Sequence, residues 1–282
     1  MTSIPLPDSS RYEASAEQLR FPQLETFALQ YNTTAAPFDD PLVRQAISRA
    51  IDRETFVRVV EQGVGTAASG WLPPGLPGAD ASVGSDLGFN VEAARSLLTQ
   101  AGYPNGDGFP TVSVLIGDVG ANRLAAEFLQ EQLKQNLGIT LDIQSLDENG
   151  YFDRYFAGDF EVAWASWFAD YADPENWLPQ QFGTDGGFNV MGYSNLEVDD
   201  LLAQAAVELD QQKRLALYGE AHRLVIADQA LTPIFHPERN YLVRSGVSGL
   251  VTTALDAEPG DWFVTGVEIL GGDAPPASEP DN

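Results

Sequence analysis

Residues 112–168 read VSVLIGDVGANRLAAEFLQEQLKQNLGITLDIQSLDENGYFDRYFAGDFEVAWASWF, and their changing periodicity decides the fold. Val112, Val114 and Ile116 alternate as one face of a strand. From about residue 121 to 137 the period lengthens, with Leu124, Phe128, Leu129 and Leu133 at helical spacing, and Gly138 stops the run. Ile139, Leu141 and Ile143 return to alternation. A short helix around 151–156 then leads to a third strand, FEVAWAS. Strand, helix, strand, helix, strand in so few residues is the pattern of parallel βαβ units with right-handed crossovers, so the class is α/β.

Working outward, TFALQYN alternates as a strand over 26–32, and Asp40 and Pro41 open a helix whose buried stripe is Val43, Ala46, Ile47, Ala50 and Ile51. Asp52 caps a second helical piece that ends at Gly63. Residues 63–90 are rich in Gly, Pro and Ser and read as a long loop, functional or mobile. Asn90 caps the next helix. Ser194 and Glu197 form an S-x-x-E capping box, and Asp210 caps a helix to about residue 228. Strands are expected at TPIFH, NYLVRS and WFVTGVEIL, and the Pro/Asp/Ser-rich residues 271–282 read as a disordered tail.

Composition excludes several function classes. With 15 basic against 41 acidic residues the net charge is −26. Such a field repels phosphate backbones and anionic lipid surfaces, so no nucleic-acid partner is expected. No apolar run approaches the roughly 18 residues of a membrane span. Cysteine is absent, which removes thiolate chemistry and cysteine-ligated metals. No H-E-x-x-H, phosphate loop or G-x-S-x-G elbow occurs, so no metal or cofactor is expected. The turn GDVGAN after the first quoted strand carries an acidic residue, the wrong charge for cradling phosphate. His222, on a helix, and His236, at a strand end, read as ordinary partly buried imidazoles.

The segment WASWFADYADPENW stands apart. Trp164, Trp167, Phe168, Tyr171 and Trp177 crowd around Asp170 and Asp173 at the carboxyl end of a buried parallel strand, where open α/β sheets collect ligands. Aromatic walls around a fixed carboxylate suit a ligand with apolar side chains and a cationic amine. An aromatic core with a capping Asp before Pro174 would look the same. A glycoside hydrolase using Asp170 and Asp173 would need the two carboxyls roughly 5–9.5 Å apart across a sugar cleft.

Several stretches together resemble the solute-binding proteins of peptide and nickel ABC importers: residues 26–57 (aromatic-Asn strand, P-F-D-D, V-R-Q-A-I, A-I-D-R), the Gly/Pro loop GTAASGWLPPG, and residues 92–115, 128–147, 151–178, 193–205 and 214–236 in order. The resemblance implies a mixed sheet with flanking helices, the second lobe of a type II periplasmic-binding-protein fold. It implies capture of a small peptide for an ABC permease complex, without catalysis, in an extracytoplasmic place (periplasm or cell surface). It places Asp170 where peptide binders receive the ligand's α-amino group, with Trp167, Phe168 and Trp164 as apolar walls and Asn32 near the hinge; Asn32 reads equally as a turn residue. Trp164 stands where some oligopeptide binders place an Arg, and Glu148-Asn149 replaces an acidic–Trp pair.

Family members are much longer, so the expected division is hinge and first-lobe strands at 1–32, the ligand-binding lobe at 33–245, a returning first-lobe strand at 246–270 and the tail beyond. On this reading the chain is a C-terminal portion whose N-terminal lobe, signal peptide included, is missing. A regulatory sensor reusing the lobe is the remaining alternative.

Overall fold

The computed structural model describes residues 1–13, 15–256, 258–261 and 264–269. In chain order its elements are β1 (Thr2–Ser3), α1 (Ser9–Tyr12), β2 (Gln18–Pro22), β3 (Glu25–Tyr31), α2 (Pro41–Arg49), α3 (Arg53–Val59), β4 (Thr66–Ala67) and α4 (Val91–Gln100). The alternating core follows with β5 (Val112–Gly117), α5 (Gly120–Leu137), β6 (Leu141–Leu146), α6 (Glu148–Phe156) and β7 (Val162–Phe168). Then come α7 (Leu178–Phe182), α8 (Leu196–Val207), α9 (Gln211–Ala227), β8 (Leu231–His236), β9 (Glu238–Leu242), β10 (Val247–Ser248) and β11 (Glu268–Ile269).

Six strands form the central sheet in the order β4-β8-β3-β7-β5-β6. β5 pairs in parallel with both β6 and β7, as the βαβ pattern requires, whereas β3 runs antiparallel to β7 and β8. The sheet is therefore mixed. Val112, Val114, Ile116, Val162 and Trp164 point to one face, where α2, α4 and α5 cover them with Val43, Ile47, Leu98, Leu129 and Leu133. The opposite face is covered by α7, α8 and α9 and by the 63–90 loop, through Trp71, Trp177, Phe182, Val198 and Val225. Apolar stripes on both sides of one sheet make the three-layer α/β/α arrangement. A separate antiparallel sheet, β1-β9-β2, lies outside this body, and β10 pairs with β11.

Local chemistry accounts for the element ends. Asp40, Asp52, Asn90, Asp147 and Asp210 each accept a backbone N–H at a helix start. Gly138 closes α5 at φ 73°, a left-handed conformation that costs glycine nothing. Pro233 sits inside β8, where proline cannot donate to a ladder. The register shifts there: Phe27 faces Phe235 while Ala28 faces Pro233, which is a bulge.

Three expectations are corrected. The 63–90 loop is not loose: Ala68 and Trp71 are fully buried, and Ala68 N–H donates to the Ile234 carbonyl at 3.0 Å. Its apolar residues follow no period, so burial left no pattern to read. At the start of α8 the cap is Asn195, whose Oδ1 accepts from Glu197 and Val198 N–H, and Ser194 Oγ instead meets Thr184 Oγ1 at 2.9 Å. Finally, WFVTGVEIL is not one strand: its described part is a 3₁₀ turn, Val264–Gly266, followed by the two-residue β11. The tail expected at 271–282 lies outside the described residues.

Candidate ligand cleft

The parallel strands end together, β5 at Gly117 and β7 at Phe168, and the chain leaves each into a helix or loop on the rim. Here a cleft of about 640 Å³ opens, lined by the turn residues Gly117, Asp118 and Val119, by Asn122, by Glu148, Tyr151, Phe152 and Tyr155 of α6, and by Phe27, Trp164, Ala165, Ser166 and Phe168. It lies at the carboxyl edge of the sheet, the position that open α/β folds use for ligands.

The expected site residues divide between places. Phe168 lines the cleft and is 36% exposed. Trp164 also lines it, but as its floor: the indole is buried and stacks on Phe27 at 5.4 Å and Phe235 at 6.4 Å. Trp167 is one residue out of phase with both and belongs to the other face of the strand. There its ring meets Phe188 at 5.2 Å and its Nε1–H donates to Asn176 Oδ1 at 3.3 Å. Asp170 lies past the strand end, exposed, and is held by the same asparagine. Its backbone N–H donates to Asn176 Oδ1 and its Oδ2 accepts from Asn176 Nδ2, both at 3.0 Å. Asn32 lines a different hollow of about 280 Å³, and its Oδ1 accepts from Thr34 N–H at 3.1 Å and Thr34 Oγ1–H at 2.6 Å, an Asx turn.

Asp173 is engaged elsewhere. Both its oxygens accept from the Arg214 guanidinium, at 2.7 and 2.8 Å, and Oδ1 also caps the Pro174–Asn176 turn. The Arg214 hydrogen bonds hold its carboxyl below the usual carboxylate range. A general acid needs the reverse shift, so Asp173 is not suited to be the acid of a glycosidase-type pair, and both its oxygens are taken up by Arg214.

The aromatic ring set of α6 was not singled out from the sequence. Tyr151, Phe152, Tyr155 and Phe156 recur as adjacent pairs one turn apart, and the rings stack: Tyr151 on Tyr155 at 5.6 Å and Phe152 on Phe156 at 5.6 Å. Tyr151 Oη–H donates to the Trp164 carbonyl at 2.9 Å, and Tyr155 Oη–H to Gln30 Oε1 at 2.7 Å. Both hydroxyls are thus satisfied inside the protein, and burial pushes both upward in pKa. Below the cleft, Ser166 Oγ–H donates to Glu25 Oε1 at 2.8 Å; burial raises the Glu25 carboxyl, opposed by that bond and by Arg239. No group of His, Asp and Glu able to hold a metal occurs among the described residues. Among them, no helix is long and apolar enough to cross a membrane.

The mixed sheet between two helical layers, with a ring-lined cleft at its carboxyl edge, superposes on solved periplasmic binding proteins, which makes the class a type II periplasmic-binding-protein fold. The chain belongs to the bacterial extracellular solute-binding proteins, family 5, whose middle-region model matches residues 1–189. It is similar to the oligopeptide-binding protein OppA of Bacillus subtilis, at 27% identity over 227 residues, covering 79% of this chain and 42% of that protein. It is similar also to di/tripeptide-binding protein 3 of Pseudomonas aeruginosa, at 31% over 243 residues, covering 84% and 45%. A periplasmic oligopeptide-binding protein of Borrelia burgdorferi superposes with a TM-score of 0.82 at 26% identity, covering 95% of this chain and 53% of that one. The chain thus spans about half the length of the relatives it matches.

Proposed function

We propose that this chain provides the ligand-binding lobe of an extracytoplasmic peptide-binding protein that delivers to an ABC permease, and that it carries out no catalysis. The observation that carries the reading is the aromatic cleft at the ends of β5 and β7 in a member of this family. Flat rings with inward-turned hydroxyls make sequence-tolerant walls for varied peptide side chains. The commitment of Asp173 to Arg214 supports binding over hydrolysis. Residues 33–245 would form the lobe together with β3, which lies inside its six-stranded sheet, while β1 and β2 pair with β9 in the separate sheet and would belong, with 246–270, to hinge and first-lobe strands.

In this reading Phe168, with Trp164 beneath it, walls the cleft, and Asp170, past the end of β7 and outside the cleft lining, accepts the peptide amine, oriented by Asn176. Trp167 acts indirectly, by fixing Asn176, and Asn32 shapes the turn after β3. Closure of two lobes over the peptide would complete the contacts, so the open lobe alone should bind weakly. The test is titration with a tripeptide, followed by the fluorescence of the cleft aromatics and by NMR shifts. Saturable changes confined to α6, the 117–122 turn and the end of β7 support the reading. Saturation that leaves those residues unmoved refutes it.

A further inference from the structure

We propose that the cleft selects a positively charged side chain, so that its peptide ligands are basic ones; this rests on the peptide-binding reading and assigns it a charge class. Two carboxylates line the cleft, Asp118 in the β5–α5 turn and Glu148 at the start of α6, and among the described residues no Lys, Arg or His lines it. Neither carboxylate takes part in an ion pair among the described residues; the hydrogen bond to Asp118 is from Ser145 Oγ, at 3.2 Å.

Two polar side chains are biased the same way. Ser166 gives its proton to Glu25, so toward the cleft it offers an oxygen lone pair. Asn122 uses Nδ2 on the Gly117 carbonyl at 3.2 Å, which leaves Oδ1 as an acceptor. The N–H groups at the uncapped start of α5 are donors of the opposite bias and suit the ligand's carbonyls, not its charged side chain.

The rings complete the match. Phe152 and Phe168 expose 43% and 36% of their surface, and such faces attract a cation and cover the methylene stem behind it. An acidic side chain would meet two carboxylates with no counter-charge in the lining, in a chain of net charge −26. Like charges so placed reject a ligand as effectively as opposite charges attract one.

The experiment titrates Ala-Lys-Ala, Ala-Ala-Ala and Ala-Glu-Ala, with the diamine cadaverine as a non-peptide probe, into the chain and into Asp118→Asn/Glu148→Gln. Both substituted side chains are exposed, and circular dichroism checks that the fold is kept. The expected ranking is Lys over Ala over Glu, with about tenfold between the first two at low salt. The ranking should shrink at about 0.5 M salt, where screening lengths are a few Å. The double variant should bring the Lys-to-Ala ratio to within about threefold, and Glu148→Lys should shift it toward Ala-Glu-Ala. Peptides that bind without charge ranking overturn this inference and leave the peptide reading standing. Cadaverine binding that depends on the two carboxylates, with no peptide bound, overturns the peptide reading and leaves cation selection. If neither class binds, both fall.

Discussion

The backbone N–H of Trp71 donates to Nε2 of His222 across 2.8 Å. The carbonyl of the same tryptophan accepts from Thr26 Oγ1–H at 2.8 Å, and that oxygen lies 2.9 Å from His236 Nδ1. Since Thr26 gives its proton to the carbonyl, His236 Nδ1–H is the donor to Thr26. Both histidines hold the 63–90 loop against the sheet, and both do so as neutral imidazoles. Among the described residues His222 Nδ1–H finds no hydrogen-bond partner, so this arrangement carries a desolvation cost.

Acid should therefore release the loop. Burial pushes His222 down to about 3 and His236 down to about 4, against an ordinary 6.5. Between those values the unfolded chain binds protons that the folded chain refuses, so stability is whole above pH 6.5 and falls as the pH drops. At pH 4.5 the loss should be about 2–3 kcal/mol per histidine. Urea unfolding at pH 7 and pH 4.5 measures it, and His222→Gln, which keeps an acceptor without the charge, should lose less. Equal losses in parent and variant would exclude the histidine as the cause.

The same clamp sets amide exchange. Trp71 and Ala68 N–H groups should exchange as slowly as those of β5, while the amides of Gly75 and Gly78, at left-handed turns in the same loop, exchange fast. Trp71→Ala should cost about 3–5 kcal/mol, because the fully buried indole packs on Trp177 and Phe182. Uniformly fast exchange across 63–90 would contradict the buried anchor.

Arg214 and Asp173 join α9 to the segment after β7 through two parallel hydrogen bonds. The guanidinium also stacks 4.9 Å over the Tyr218 ring. Lysine can reproduce neither the fork nor the stacking. Arg214→Lys should destabilise the chain by about 1–2 kcal/mol in urea unfolding, and a loss below the error of that measurement would show the pair to be solvated.

Asp170 provides the test of peptide polarity. Because it is exposed, its pairing with a ligand amine should contribute about 1 kcal/mol, or roughly fivefold in affinity. Asp170→Asn and N-acetylation of the peptide should each remove that factor, and the two together should remove it once. Additive losses would mean that the amine binds elsewhere.

The βαβ core was legible because Val112, Val114, Ile116 and the α5 stripe each obey one period over many residues. Caps at Asp40, Asn90 and Asp210 were legible because one side chain and the next turn suffice to define them. Ser194 and Asn195 are both good caps, and only the backbone path past Thr184 decides between them. The cleft was half legible. Phe168 and Trp164 lie at a recognisable strand end, whereas Tyr151, Phe152, Asp118 and Glu148 join it from chain segments that look like ordinary helix and turn. Trp167 was misplaced relative to its neighbours because crowding in sequence hides the alternation of a strand. The burial of Trp71 depends on histidines some 150 residues away, which no local pattern reports.

β3 is the seam of the six-stranded sheet, and its two partners come from far downstream: Gln30 pairs with Ala163 on one side and with Leu231 on the other. During synthesis it leaves the ribosome unpaired, roughly 130 residues ahead of β7 and about 200 ahead of β8. Chain closure over such distances is slow, and an idle hydrophobic strand is the part of a nascent chain that sticks to its neighbours. Production of this protein should therefore be limited by what guards β3 during synthesis, and slowing translation near β7 gives the first of its partners time to arrive.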